Sequence, residues 1–178
     1  ISSSGEIFFM RKAFTIFINT IRTLTFQKVG RLLSATIPNP LFTIISFYAT
    51  LKTFVLAKQY FPKTNSTDGI GNAFRHALWT SFILMYCCKI SSPKKALKWC
   101  KKITDLHEEL FPNEALQKQM DLHNNKVGMD LFMEMIPGIH RQFFESSFLI
   151  DELFKKVKTA EILTENGVVN EKELVYLQ

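Results

Sequence analysis

The sequence predicts an all-α fold. We expect a single-domain bundle of about five to seven helices around a buried central helix, with a short C-terminal tail element. Apolar residues recur at helical spacing in several stretches, and Pro, Pro-Gly and Ser-Ser-Pro breaks separate these stretches. With 178 residues, of which 47% are hydrophobic, the chain can build one sizeable core.

The front of the chain is divided in two by its first sequence breaks. Residues 1–9 precede a Met-Arg-Lys start, so we interpret them as an expression remnant or the end of an upstream region. Residues 10–63 are basic and rich in Phe. There we predict an amphipathic helix over 14–24 and, after Pro38-Asn39-Pro40, a second helix over about 41–60.

Residues 64–160 form the predicted helical core. A central helix runs from about residue 68–72 to Cys88 and is apolar nearly all round, which is typical of a buried helix. Three further helices are predicted, over 94–111, 113–136 and roughly 140–157. The tail, 161–178, contains an Asn-Gly turn signal and ends in ELVYL, which fits either a strand or a helix.

The positive charge is concentrated in the first third of the chain. Up to Lys63 there are eight Lys/Arg residues against Glu6 alone, and the remainder is nearly neutral. The basic part could contact an anionic membrane surface, or it could be an ordinary solvated face. The sequence has no base-stacking motif beside a basic run, so nucleic-acid binding is not favoured. No uninterrupted apolar run reaches the roughly 20 residues of a membrane span, and we expect a cytoplasmic protein, peripheral to the membrane at most.

The three cysteines predict no disulfide framework. Cys87 and Cys88 are adjacent in an apolar run, Cys100 lies in a helical pattern, and no CxxC spacing occurs. We interpret them as reduced core thiols. The sequence also lacks a Gly-rich phosphate loop, a nucleophile elbow and a dinucleotide fingerprint.

Three helical stretches carry polar residues on an apolar background: NAFRHALW from Asn72, DLHEELF from Asp105 and DLHNNKVG from Asp121. Buried charges are costly unless they are paired or bind a metal, so we expect these groups to meet. Arg75 needs a carboxylate or a bound anion, because a guanidinium cannot lose its proton. The wheel of the second stretch turns His107 inward with Glu108 at the edge.

On the third stretch, Asp121, Asn124 and Asn125 share the inner face with Gly128, which lets another helix approach closely. His123 falls on the outer side and ranks second as a candidate. A histidine such as His76, taken alone, is usually a core residue bonded to a carbonyl; the neighbouring Arg75 favours a site.

These motifs resemble an uncharacterised bacterial domain family marked by the strings NAFRHA and DxHNN. The resemblance covers about 68–131 and implies no activity. It implies a polar signature, whose members here are Asn72, Arg75, His76, His107, Glu108, Asp121, His123, Asn124 and Asn125. Met129 stands where relatives commonly have an Arg. The order His76, His107-Glu108, Asp121 is also distantly similar to the H…HD…D order of helical HD-type metal phosphohydrolases, with Glu in place of the Asp of their HD doublet.

The residue types predict a metal-dependent hydrolase, most plausibly of phosphoesters. His76, His107, Glu108 and Asp121 could hold Zn, Mn or Fe and activate water. Arg75 would bind an anionic group of a small phosphorylated substrate, and Asn72, His123, Asn124 and Asn125 would orient ligands or substrate. Two alternatives stay open: a metal-free network that binds a small anion or catalyses without metal, and a structural network in an interaction or toxin-like module.

Overall fold

The described chain folds into six α-helices and two very short strands. A computed structural model describes residues 11, 14–15, 18–19, 22–165, 167 and 169–178. The helices are α1 (Phe26–Thr36), α2 (Pro40–Tyr60), α3 (Ile70–Ile90), α4 (Pro93–Leu110), α5 (Ala115–Met135) and α6 (Ser146–Lys158), with a 3₁₀ turn at Ile136–Gly138. The strands are β1 (Glu161–Ile162) and β2 (Val175–Tyr176). The all-α prediction is confirmed for this part of the chain.

Helix α3 is the hub of the bundle, as its apolar sequence predicts. Most of its residues are buried, and α2, α4, α5 and α6 all pack against it. At its start, the ring of Phe74 contacts Phe61 and Phe154, which anchors α3 to the end of α2 and to α6. At its end, Ser92 caps α4 by accepting a hydrogen bond from the backbone of Lys95.

Helices α3 and α5 approach unusually closely at Gly128. A Cβ atom built there would lie 2.1 Å from the carbonyl oxygen of Ala77 and 2.4 Å from Thr80 Oγ1. The Thr80 hydroxyl donates to the carbonyl of Asn125 at 3.0 Å, and the Ser81 hydroxyl donates to the carbonyl of Gly128 at 2.8 Å. The small residue and the two hydroxyls therefore hold the polar stretches of α3 and α5 side by side.

The tail closes over α5 as a two-stranded parallel sheet. Glu161 pairs with Val175 and Ile162 with Tyr176. Leu174 and Val175 are completely buried, the latter with Met120 of α5 and Leu163. The backbone N–H of Leu177 donates to the carbonyl of Asp68, in the loop that leads into α3. The ELVYL segment thus forms a strand, the first of the two structures that its sequence allowed.

Two predicted helix bounds differ from the structure, and one helix was not predicted. The predicted helix over 14–24 lies largely outside the described residues, whereas helix α1 at Phe26–Thr36 was not predicted. The last long helix begins at Ser146 and not near His140, because residues 140–145 form turns and extended backbone. The central helix continues to Ile90, two residues beyond the predicted end.

Helix α2 is long and apolar enough, by length and composition, to cross a membrane. Its best window has a mean hydropathy of 1.5, and 28% of that window is buried in the bundle. Core helices of soluble proteins have the same length and composition. The cysteines match their prediction: Cys87, Cys88 and Cys100 are free and buried, and burial raises the pKa of the Cys87 thiol to about 12.

Candidate functional site

Polar residues from α3, α4 and α5 converge in the interior. One contact joins α3 to α5: His76 Nε2 lies 3.3 Å from Asp121 Oδ1, and both side chains are almost completely buried. On the other side of the imidazole, His76 Nδ1 lies 3.3 Å from Asn125 Oδ1. The predicted meeting of these three residues is therefore observed, while their chemical roles stay predictions.

Arg75 fixes the protonation state of its neighbour. One guanidinium nitrogen, Nη2, lies 3.2 Å from His76 Nε2 and 2.6 Å from Asn72 Oδ1, and Nη1 donates to the carbonyl of Asn65 at 2.6 Å. Because a guanidinium only donates, His76 Nε2 must accept and carries no proton. The proton of neutral His76 then sits on Nδ1 and is donated to Asn125 Oδ1. We expected a carboxylate or a bound anion beside Arg75; its hydrogen bonds described here go to neutral acceptors.

The neutrality of His76 follows from its surroundings. Burial and then the adjacent positive charge of Arg75 lower the pKa of His76 well below its usual value. With His76 neutral, its Nε2 accepts from Arg75, and no proton lies between this nitrogen and Asp121 Oδ1, 3.3 Å away. Asp121 Oδ1 has no hydrogen-bond donor in the described structure.

The surroundings of Asp121 disfavour its ionised form. Burial, and next the negative charge of Glu108, raise the pKa of Asp121 to about 6, although Arg75 opposes the shift. Its second oxygen, Oδ2, accepts a hydrogen bond from Asn113 Nδ2 at 2.9 Å. The cluster thus combines two buried carboxyls with the single guanidinium of Arg75, an excess of one negative charge when both carboxyls are ionised.

Helix α4 contributes the edge of the site. His107 Nδ1 lies 3.1 Å from Glu108 Oε1, and the other oxygen of Glu108, Oε2, is buried without a hydrogen-bond partner in the described chain. The ring of His107 is 6.1 Å from that of His76 and 5.3 Å from that of Trp79, centroid to centroid. The side chain of His107 is 34% exposed, so His107 lies at the rim of the site. Its place on the apolar stripe had predicted that it points inward.

Two residues of the DLHNN stretch serve the tail instead of the cluster. The Asn124 side chain donates to the carbonyl of Val175 at 2.8 Å and accepts from the backbone N–H of Val175 at 3.0 Å. His123 Nε2 lies 2.8 Å from the carbonyl oxygen of Glu173. These contacts bind both residues to the tail, and their ligand-orienting role stays a prediction.

Sequence reasoning missed two members of the site. Asn113 holds Asp121, and the backbone carbonyl of Asn65 holds Arg75. Neither could be found from helical periodicity, because both lie in the connections between helices. Asn113 was predicted as a helix cap, but the cap of α5 is the Glu114–Gln117 capping box.

In the part of the chain that the structure describes, no three His, Cys, Asp or Glu side chains are grouped as ready metal ligands. His76 and Asp121 are close enough to share an ion, but His107 is turned towards Glu108. A metal centre built from the four predicted ligands would therefore need side-chain rotation at the rim.

The sequence pattern of a family described as a domain of unknown function, DUF6973, matches residues 33–161. The chain belongs to this family. The match spans α2 to α6 and contains every residue of the polar cluster, whereas β2 lies beyond it. No curated protein and no solved structure matches the chain significantly. Family membership therefore agrees with the expected uncharacterised domain and brings no activity with it.

Proposed function

We propose that the protein is a metal-dependent hydrolase acting on phosphoesters, with its centre between His76 and Asp121. One observation carries the proposal: an unprotonated imidazole nitrogen and a donorless carboxylate oxygen face each other, buried, at 3.3 Å. Asp121 Oδ1 lacks any donor, and a metal would satisfy it while replacing the Arg75 N–H at His76 Nε2. Two ligands of a tetrahedral zinc ion with bonds of about 2.0–2.1 Å lie roughly 3.3–3.4 Å apart, so the spacing suits a shared metal.

The excess negative charge of the cluster supports the same proposal. Glu108 Oε2 is a second buried oxygen without a donor in the described residues, and it belongs to the carboxyl that raises the pKa of Asp121. A divalent cation would remove that repulsion. Rotation of Glu108 or of the rim residue His107 would complete the ligand set, and the exposed part of the His107 ring leaves room for this movement.

Each remaining residue has a defined task in this proposal. Metal lowers the pKa of a bound water and supplies hydroxide near neutral pH. Hydrolysis would form one P–O bond to the oxygen of water and break the ester P–O bond, and the proton that the water loses would pass to the leaving alkoxide. Arg75 would bind a non-bridging phosphate oxygen. Asn72 and Asn65 hold the guanidinium, while Asn113 and Asn125 hold Asp121 and His76.

A metal-free network is the second candidate, and the raised pKa of Asp121, about 6, favours it. A proton on Asp121 could occupy the same gap as a metal and donate to His76 Nε2. The cluster would then bind a small anion through Arg75, or would only specify how α3, α4 and α5 pack, as in an interaction or toxin-like module.

Elemental analysis of tag-free protein, purified without chelators, tests the proposal. We expect about one Zn, Mn or Fe per chain, lost in His76→Ala and in Asp121→Asn, together with metal-dependent cleavage of a chromogenic phosphodiester or monoester. Asp130→Asn, on the exposed face of α5, and His140→Gln, in an exposed turn, are matched controls and should keep the metal. Folded protein that contains no metal, and whose melting temperature does not rise with added Zn²⁺ or Mn²⁺, would establish the metal-free candidate instead.

A further inference from the structure

Helix α1 is an amphipathic helix with no core of its own. Thr25 caps it, and its apolar side chains include Phe26, Val29 and Leu33, yet none of its residues is buried. It is attached to α4 by polar contacts: Arg31 pairs with Glu109, and Lys28 Nζ donates to the carbonyl of Leu110. An amphipathic helix in a water-soluble bundle normally buries its apolar stripe. This helix turns part of that stripe towards solvent.

The turn between α1 and α2 extends the exposed apolar surface. Four large side chains, which we call the corner residues, lie on its two sides: Leu33, Ile37, Leu41 and Ile44. Each is between 49% and 68% exposed. The Thr43 hydroxyl donates to the carbonyl of Thr36 at 3.0 Å and ties the two helices together here. Several exposed large apolar side chains at one corner of a fold are typical of an interaction site.

A row of lysines on α4 lies beside the corner. Residues 91–104 contain five lysines and no carboxylate: Lys94, Lys95, Lys98, Lys101 and Lys102, all exposed. Lys102 Nζ donates to the carbonyl of Ala35 at 2.8 Å, which puts this lysine face next to α1. The corner therefore combines exposed apolar side chains with a flank of cations.

We propose that the corner residues and the lysine face dock the protein onto an anionic lipid bilayer. Amphipathic helices with apolar and cationic faces bind such surfaces by inserting the former and attracting acidic headgroups with the latter. A second copy of this chain, docked symmetrically, is a poorer occupant, because it would bring like-charged lysine faces together. This inference does not rest on the proposed hydrolase activity.

Vesicle flotation of the full chain tests the docking surface. We expect binding to vesicles that contain phosphatidylserine, at least about tenfold weaker binding to phosphatidylcholine alone, and loss of binding at high salt. Leu33→Gln/Leu41→Gln/Ile44→Gln should weaken binding to the anionic vesicles by about tenfold or more. The matched control is Ile90→Gln/Leu122→Gln/Phe143→Gln, three exposed apolar residues elsewhere on the surface, and it should bind normally.

The contribution of charge has its own pair of variants. Lys94→Gln/Lys98→Gln/Lys101→Gln should reduce binding, whereas Lys118→Gln/Lys155→Gln/Lys158→Gln removes the same charge from exposed positions elsewhere and should not. Circular dichroism and thermal melts verify folding of every variant. Equal binding to both vesicle types, no binding to either, or equal losses in the paired variants would overturn the proposal. So would a dimer in solution that the corner variant alone dissociates.

Discussion

At the scale of single residues, the buried carboxyl of Asp121 controls the electrostatics of the site. Its ionised form is disfavoured by burial and by Glu108, and it is favoured by Arg75. The pKa of His76 is lowered, since burial and Arg75 both favour the neutral imidazole. In the metal-free state, Asp121 therefore stays protonated to a higher pH than an exposed aspartate, and His76 stays uncharged.

We predict that Asp121→Asn makes the metal-free protein relatively more stable as pH rises. The pKa of Asp121 is raised in the folded protein from 3.8 to about 6, so its stabilising effect is complete below pH 4 and is lost as pH rises through 6. Asn carries no such ionisation cost. From pH 4 to pH 7.5, the difference in unfolding free energy between the variant and the wild type should change by about 2–3 kcal/mol in favour of the variant.

Urea unfolding of both proteins with a chelator present measures this difference. Asp130→Asn is the control, because Asp130 is half exposed in a surface ion pair with Lys126. Its stability should follow the wild type across the same pH range to within about 0.5 kcal/mol. Parallel pH curves for Asp121→Asn and wild type would show that the folded protein does not hold the Asp121 proton as described.

Residue-level reasoning from the sequence found most of the cluster but not all of its bonds. Helical spacing and the cost of buried charge indicated that Arg75, His76 and Asp121 meet, and they do. The same reasoning could not assign the partners of Arg75, because two of its acceptors, the Asn65 carbonyl and the Asn72 side chain, carry no charge. It could not separate Asn124 from Asn125, which are neighbours in sequence but bind the tail and His76, respectively.

At the scale of elements, the contact between α3 and α5 determines whether the cluster forms. Gly128 and Thr80 allow the two helix backbones to approach, and the hydroxyl bonds of Thr80 and Ser81 fix their register. His76 and Asp121 can be 3.3 Å apart only because the helices are held this closely. The site geometry therefore depends on a residue that contributes no side chain to it.

We predict that Gly128→Ala costs more than about 3 kcal/mol of unfolding free energy. The added methyl would lie 2.1 Å from a backbone oxygen of α3, so the helices must separate. Gly30→Ala on α1 is the matched control: nothing lies within 4 Å of the new methyl, and the change should be neutral or stabilise by up to about 1 kcal/mol. Chemical denaturation of both variants measures this; equal effects would contradict the close contact.

Local sequence signals indicated some helix boundaries and not others. Ser92-Pro93 predicted the start of α4, because Pro suits the first helical turn, and the Pro38-Asn39-Pro40 break placed the start of α2 at about residue 41, next to its observed start at Pro40. Helix α1 was not predicted, although Phe26, Val29 and Leu33 recur at helical spacing in its sequence. Residues 140–145 retain helical composition, but polar contacts hold them otherwise, such as Arg141 donating to the carbonyl of Ser91.

At the scale of the whole molecule, the tail connects helix α5 to the loop that precedes α3. Val175 is held by Asn124 of α5, and Leu177 reaches the carbonyl of Asp68 before α3. Asp68 in turn accepts a hydrogen bond from Gln117 of α5 at 2.8 Å. The tail therefore braces the loop that leads into α3 and the N-terminal half of α5, which carries Asp121.

We predict that deletion of residues 173–178 lowers the unfolding free energy by roughly 3–6 kcal/mol, mainly from loss of buried Leu174 and Val175. Asn124→Ala in the full chain should cost about 2–3 kcal/mol, because it leaves both polar groups of Val175 unsatisfied in the interior. Removal of Gln178 alone, which is exposed, serves as the control. A truncated chain as stable as the full one would mean that the tail is not part of the folded core.

Sequence alone determined the helical class, the central position of α3, and the three stretches whose polar groups need partners when they are buried. Helical periodicity and the cost of desolvating charge are local properties, so they can be read along the chain. Only the tertiary structure decided that Asn124 binds a strand 51 residues away, that His107 stands at the rim, and that Asn113 holds Asp121. Those outcomes depend on helix rotation, on loop paths and on which buried atom finds a partner, and no short-range pattern encodes them.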